Sequence, residues 1–231
     1  MDNEFVRQNL MGPSALRIIE ELTGTIDLPA KARILDLGCG TGLTSIFLAE
    51  QYEGATVFAT DLWIEATENL ERIKSQKLEN RIIPIHAEAH TLPYAQGYFD
   101  AVVSVDSYQY FGTDAKFLDD HIAPLLKSGG ILAVSMPGLQ KGLTQAMLPQ
   151  ELTTFWGDED IDFYALQWWE DLWTKSEQME KVKTFSHTCH KQAWDEWLSC
   201  DNPYAKHDID MIRVENGKYF DTIGLIYRKK A

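Results

Sequence analysis

The first two thirds of the chain alternate between short apolar runs and stretches with helical spacing. Runs rich in Val, Ile and Leu at 33–38, 55–60, 81–86, 100–105 and 130–136 predict five strands. Continuous apolar runs such as AVVSV and ILAVS are what strands covered on both faces require. Helical spacing fills the gaps at 13–22, 43–52, 64–75 and 114–126. In the first of these Ala15, Leu16, Ile18, Ile19 and Leu22 share a face, with Pro13 near the first turn. The last ends on Lys-Ser-Gly-Gly, a cation followed by a glycine stop. Strands alternating with helices predict βαβ units and a Rossmann-like, doubly wound α/β fold with a mostly parallel sheet. Beyond Pro137 the texture changes. Segments 182–188 and 222–228 read as two more strands, giving seven. Segments 138–178 and 189–219 read as cap insertions within one domain spanning 1–231, because neither is large enough for its own core.

Composition narrows the partners. At 231 residues, 45% apolar and 24% charged, the chain reads as an ordinary globular domain. No apolar run reaches the ~18 residues of a membrane span. The opening MDNEFVRQNL lacks a basic flank before an apolar stretch, so neither membrane association nor secretion is expected and a cytoplasmic location is. Three cysteines, Cys39, Cys189 and Cys200, are too few and too odd in number for a disulfide framework. The formal net charge of −14 opposes phosphate backbones, so no nucleic-acid partner is expected. Oligomeric state is not legible.

The strongest chemical signal is the turn Asp36-Leu37-Gly38-Cys39-Gly40-Thr41-Gly42, which follows a predicted strand and opens a predicted helix. Alternate glycines let backbone approach a ligand closely, and the helix N-terminus favours an anionic group such as a carboxylate. The dinucleotide fingerprint Gly-x-Gly-x-x-Gly fails in both registers. Its third glycine would fall on Leu43 or Ser45. Asp61, about 20 positions on at the end of the second strand, is spaced to accept from ribose hydroxyls.

These residues resemble the class I S-adenosylmethionine-dependent methyltransferases. Asp36, Gly38, Gly40 and Gly42 match the first motif, acidic-x-Gly-x-Gly-x-Gly, and Asp61 matches the ribose-binding acid. Ala87-Glu88-Ala89-His90-Thr91-Leu92-Pro93-Tyr94 followed by Phe99-Asp100 matches a third motif, with Glu88 in place of the usual Asp. The resemblance implies that Glu88 faces the adenine amino group and that Ala89 offers its N–H to the ring. It implies a cofactor bed that also takes in Cys39, Thr41, Leu62 and Val105, and an antiparallel last strand. It covers 12–136. Asn9-Leu10-Met11-Gly12-Pro13, Asp61-Leu62-Trp63-Ile64 and Asp106-Ser107-Tyr108-Gln109-Tyr110-Phe111-Gly112 are similar to bacterial cyclopropane-fatty-acid-synthase-like methyltransferases. Trp63 is open to two readings, packing on the adenine face or covering the core.

The implied reaction is methyl transfer from S-adenosylmethionine to a small-molecule acceptor. The alternatives are a binding module without turnover, or a methyltransferase acting on protein or RNA. Asp106, Tyr108 and Tyr110, at the end of the fourth strand, are the candidates for catalysis, either near the methyl group or as a helix cap with core tyrosines. His187, Cys189 and His190 form a second group. On an extended segment His187 and Cys189 share a face while His190 points away, which is poor for a metal, so no metal is expected. Of Trp156, Trp168, Trp169, Trp173, Trp194 and Trp197, most read as core, with two or three lining an aromatic acceptor pocket. The acidic run Asp158, Glu159, Asp160 and Asp162 reads as a solvated loop.

Overall fold

The computed structural model of the chain describes residues 1–157 and 160–231. Asp158 and Glu159, half of the acidic run, lie outside the described residues. Two helices, α1 (Asn3–Asn9) and α2 (Ala15–Thr23), precede the alternating core of β1 (Arg33–Leu37), α3 (Leu43–Gln51), β2 (Thr56–Asp61), α4 (Ala66–Ser75), β3 (Ile82–His86), β4 (Phe99–Val105) and β5 (Leu126–Leu139). The remainder comprises α5 (Gln150–Thr153), β6 (Tyr164–Ala165), α6 (Leu166–Trp173), β7 (Met179–Ser186), α7 (His190–Leu198), α8 (Pro203–Glu215) and β8 (Phe220–Lys229). All seven expected strands form, and the short β6 adds an eighth by pairing with Gly138 and Leu139 of β5.

The sheet order is β3-β2-β1-β4-β5-β8-β7. Strands β1 to β5 run parallel, whereas β8 lies antiparallel between β5 and β7. From β1 the chain winds outward to β2 and β3. From β4 it winds the other way to β5. The crevice at their carboxyl ends is where such sheets bind ligands.

Alternation along each strand divides the core. Leu35, Leu37, Val102, Leu132, Val134, Leu225 and Tyr227 pack one face against Phe117, Trp169 and Trp173. Ile34, Val57, Ala59, Ala101, Val103, Ala133 and Ile226 pack the other against Ile18, Ile19 and Leu22 of α2, Ile46 of α3 and Ile73 of α4. A third cluster joins Leu148, Leu152, Trp194, Trp197, Ala205 and Met211 of the two cap segments to Leu10, Leu43, Leu139 and Phe220.

The helix expected at 114–126 takes another form. Leu118–Ile122 is a wide turn in which the Ala123 N–H donates to the Leu118 carbonyl, and 123–125 tightens around Pro124. Pro124 has no N–H and its ring crowds the preceding turn, so a regular helix cannot run through it. No described helix is long and apolar enough to cross a membrane.

Candidate active site

The turn after β1 supplies the floor. Gly38 has φ +73° and Gly40 φ +51°, both left-handed. A Cβ on Gly38 would meet the Ser107 Oγ at 2.2 Å, so the backbone here passes against the end of β4. A Cβ on Gly40 would fill the space beneath the Met11 sulfur, 2.9 Å away. The Gly38 and Cys39 N–H groups donate to the Thr60 carbonyl at 2.8 and 3.1 Å, fixing the turn to β2. Asp61, at the end of β2, is nearly buried. Its Oδ2 accepts from the Gly40 N–H at 2.7 Å, and its Oδ1 from the Trp63 and Ile64 N–H groups at 2.7 and 2.9 Å.

Two cavities open above this floor and meet at Gly38, Asp61, Trp63, Ser107 and Tyr110. One, of about 300 Å³, is lined further by Leu62, Glu88, Ala89, His90 and Phe111. The other, of about 120 Å³, is lined further by Cys39, Thr41, Val105 and Asp106 and walled by Asn9 to Pro13. The Thr41 hydroxyl donates to the Asn9 carbonyl at 2.5 Å and pins that wall. Trp63 and Tyr110 are 66% and 56% exposed, and their rings lie 5.1 Å apart at the junction of the cavities.

A family model described as a methyltransferase domain matches residues 34–130, which carry β1 to β4, the glycine turn and most of both cavities. Residues 34–130 are thus similar to a methyltransferase domain. Over 120 residues, 52% of this chain, the sequence is 32% identical to methyltransferase GfsG of Streptomyces halstedii, covering 42% of that protein. It is 34% identical over 112 residues, 46% of this chain, to malonyl-[acyl-carrier protein] O-methyltransferase of Geobacter sulfurreducens, covering 39% of it. The chain thus spans less than half the length of these two relatives. The structure of geranyl diphosphate C-methyltransferase from Streptomyces coelicolor A3(2) superposes with a TM-score of 0.72 at 13% identity, over 93% of this chain and 75% of that one, a likeness of fold.

Within the matched region, most of the expected site residues converge. Gly38, Cys39, Gly40, Thr41, Asp61, Leu62, Trp63, Glu88, Ala89, Val105, Asp106 and Tyr110 all line one cavity or both. Two do not. Asp36 is fully buried behind the turn, where one carboxylate oxygen accepts from the Thr44 and Ser45 hydroxyls at 2.7 and 2.5 Å. It holds the start of α3 and does not touch the cavities. Burial raises its carboxyl to about 6, against the lowering effect of the Ser45 and Thr44 hydrogen bonds. Tyr108 is also fully buried, packed on Phe117, Trp169 and Trp173, and its hydroxyl has no hydrogen-bond partner among the described residues. The reason is local. The chain turns at Asp106 (φ +55°) into the tight 3-10 turn Tyr108–Tyr110, where residues two apart point in different directions. Tyr110 therefore faces the cavities while Tyr108 joins the core.

Asp106 is poised differently from the other acids. Burial pushes its carboxyl up to about 7, opposed by Gln109 and reinforced by Asp208. Among the described residues its side-chain donor is the Gln109 amide, at 3.4 Å. Glu88 is more open. Burial works to raise it, but hydrogen bonds from the His90 N–H and ring nitrogen outweigh that and leave it lowered.

The aromatic pocket expected from the cap segments does not form among the described residues. Trp169, Trp173 and Trp197 are core, Trp168 stacks on Tyr164 at 3.9 Å, and only Trp194 approaches Asp106, across a small recess with Pro13 and Thr222. The exposed aromatic wall comes instead from Trp63 and Tyr110. Trp169→Ala is accordingly expected to lower stability by roughly 3–5 kcal/mol while leaving cofactor affinity unchanged, measured by denaturant unfolding and calorimetry. A small loss of stability would return Trp169 to the pocket side. The segment Asn9 to Pro13, Ser107 and Phe111 are lining residues that motif reasoning did not assign. Asn9 to Pro13 had a signal in its likeness to the cyclopropane-synthase-like proteins, but nothing in its pattern marks it as a wall.

Proposed function

We propose that the protein is an S-adenosylmethionine-dependent methyltransferase that acts on a small molecule, with Asp106 as general base. The observation that carries this reading is the pair of cavities sharing one floor. The first offers Leu62, Glu88, Ala89 and the Trp63 ring around a planar base, with the Asp61 carboxylate beside it for a ribose. Lying against the start of α3, the second suits an amino-acid end at the helix N-terminus and an acceptor before Asp106. The left-handed glycines fit such a ligand, because any Cβ on Gly40 would occupy the cradle.

S-adenosylmethionine supplies an electrophilic methyl group when bound. The protein's part is alignment and proton removal. The glycine turn, Asp61 and Glu88 would hold the cofactor so that its methyl group faces an acceptor before Asp106. The proton lost by the acceptor passes to the Asp106 carboxylate. A base whose pKa lies near neutrality is matched to that task. Among the described residues no Lys, Arg or His lines the Asp106 cavity, whereas Asp61 and Asp106 do. That lining favours a neutral or amine-bearing acceptor over an anionic one and opposes nucleic acid. The likeness to cyclopropane-fatty-acid-synthase-like proteins supports the enzyme class without selecting an acceptor. The cap segments 138–178 and 189–219 belong, in this reading, to a single domain spanning 1–231. The three free cysteines fit a reducing cytoplasmic setting.

Titration calorimetry is expected to show S-adenosylmethionine and S-adenosylhomocysteine binding with no comparable heat from NAD or NADP. Incubating metabolite pools with methyl-labelled cofactor is expected to place label on a small molecule. Preference for a nicotinamide cofactor overturns the reading, and tight cofactor binding without label transfer reduces it to a binding module.

A further inference from the structure

Outside the cavities the fold assembles a second group of reactive side chains. Glu21 on α2, His187 just after β7 and Cys189 at the start of α7 are the group of His, Cys and acidic residues that converges among the described residues. Their donor atoms, a carboxylate oxygen, an imidazole nitrogen and a thiol sulfur, all lie within 4.8 Å of one another. The His187 Nδ1 is 3.6 Å from the Glu21 Oε2 and 3.9 Å from the Cys189 Sγ. We propose that Glu21, His187 and Cys189 form a binding site for one zinc-class divalent cation.

Three features carry the proposal. First, the spacing fits. A tetrahedral ion with bonds of about 2.3 Å to sulfur and about 2.0–2.2 Å to nitrogen and oxygen holds its ligands roughly 3.3–3.6 Å apart. The two His187 distances need to close by only a few tenths of an ångström, and every pair starts within 4.8 Å. Second, the histidine is oriented from behind. Its Nε2 sits 3.1 Å from the Ser135 Oγ, the kind of outer hydrogen bond that aims the other nitrogen of a ligating imidazole. The carboxylate is likewise held. Its Oε1 accepts from the Thr188 N–H and hydroxyl, and its Oε2 from the Cys189 N–H. Third, the donor set is selective. Sulfur with imidazole suits zinc or cobalt, whereas magnesium and calcium take oxygen cages.

Charge also balances. The Cys189 thiol, which donates to the Arg17 carbonyl at 3.5 Å, gives up its proton to solvent on binding. Carboxylate and thiolate then neutralise a divalent ion, and a water takes the fourth position. His187 is buried while Glu21 and Cys189 are half-buried, which leaves an entry path on their side. Spacing along the sequence opposed a metal here because His187 and Cys189 are only two ligands. The third comes from α2, more than 160 positions away. An ion so bound would clip α2 to the junction of β7 and α7.

The test uses the full-length protein stripped with chelator and titrated with cobalt(II). One equivalent is expected to produce a thiolate-to-cobalt charge-transfer band in the near ultraviolet, bleached by zinc. Cys189→Ser is expected to abolish the band, Cys200→Ser to keep it, and Glu21→Gln to keep it with at least tenfold weaker binding. Zinc is expected to slow alkylation of Cys189 in the parent and to raise its melting temperature, with no rise in Cys189→Ser. Absence of a band at one equivalent, or a band that survives in Cys189→Ser, overturns the proposal and leaves a hydrogen-bonded cluster. If Cys189→Ser does not fold, the affinity of Glu21→Gln and the alkylation rate decide.

Discussion

Asp106→Asn is expected to lower kcat by roughly a hundredfold to ten-thousandfold while cofactor affinity stays within a factor of two or so. Asparagine keeps the shape and tolerates the left-handed backbone at φ +55°, so the fold should survive. The pH dependence gives a second readout. Only the ionised carboxylate accepts a proton, and in the folded protein it ionises at about 7. The parent's activity is therefore expected to rise as pH climbs through 7 and then level off, and the variant's residual activity to lack that rise. Stability moves the opposite way. A carboxyl whose folded pKa is raised well above its unfolded value contributes stability at low pH that is lost as pH rises through about 7. The melting temperature of Asp106→Asn relative to the parent is expected to climb between about pH 4 and 7 and then level off. A parent profile that is flat across neutrality, with full activity in the variant, removes Asp106 from the chemistry.

The second large effect is at Asp61. Asp61→Ala is expected to weaken S-adenosylmethionine binding by roughly 2–3 kcal/mol, on the order of thirtyfold to a hundredfold or more. Spacing from the glycine turn gives Asp61 a role toward the ribose alone. The structure changes that expectation, because the carboxylate also accepts from the N–H groups of Gly40, Trp63 and Ile64. Removing it leaves donors of the turn unpaired, so a stability loss of roughly 1–3 kcal/mol should accompany the loss of affinity. Asp61→Asn retains one acceptor oxygen and is expected to fall between. Calorimetry and thermal melts separate the two effects. Unchanged affinity in a destabilised Asp61→Ala protein confines the carboxylate to holding the turn.

What could be read in advance followed from short-range chemistry. Val102 to Val105 and Ile131 to Val134 had to be buried strands, and Gly38, Gly40 and Gly42 had to form a turn that other residues cannot adopt. Spacing from that turn singled out Asp61 and the resemblance singled out Glu88, and both line the cavities. The failures share a cause, which is direction. Asp36 sits between Leu35 and Leu37, and strand alternation sends it to the opposite face, where Thr44 and Ser45 wait. Tyr108 and Tyr110 are equivalent by count but not once the chain leaves the strand at Asp106. Adjacent Trp168 and Trp169 likewise divide, one half-exposed on Tyr164 and one in the core. Glu21 carried no signal at all, because its partners lie at the other end of the chain.

That last distance governs how the molecule is made. The first helices lean on the last third. The Ser14 N–H donates to the Ala193 carbonyl, the Arg7 guanidinium to the Ser199 carbonyl, and Glu21 accepts from Thr188 and Cys189. During synthesis about 170 residues must follow Glu21 before its partners exist, a wait on the order of ten to thirty seconds at typical elongation rates. The parallel sheet can begin to pair in that interval and Thr41 can hold Asn9, but Ser14 at the end of the wall lacks its Ala193 partner until α7 arrives. The nascent chain therefore meets any ligand before the contacts behind that wall are complete. Ligand binding can stabilise the finished protein by mass action, yet it cannot template the early stages of folding.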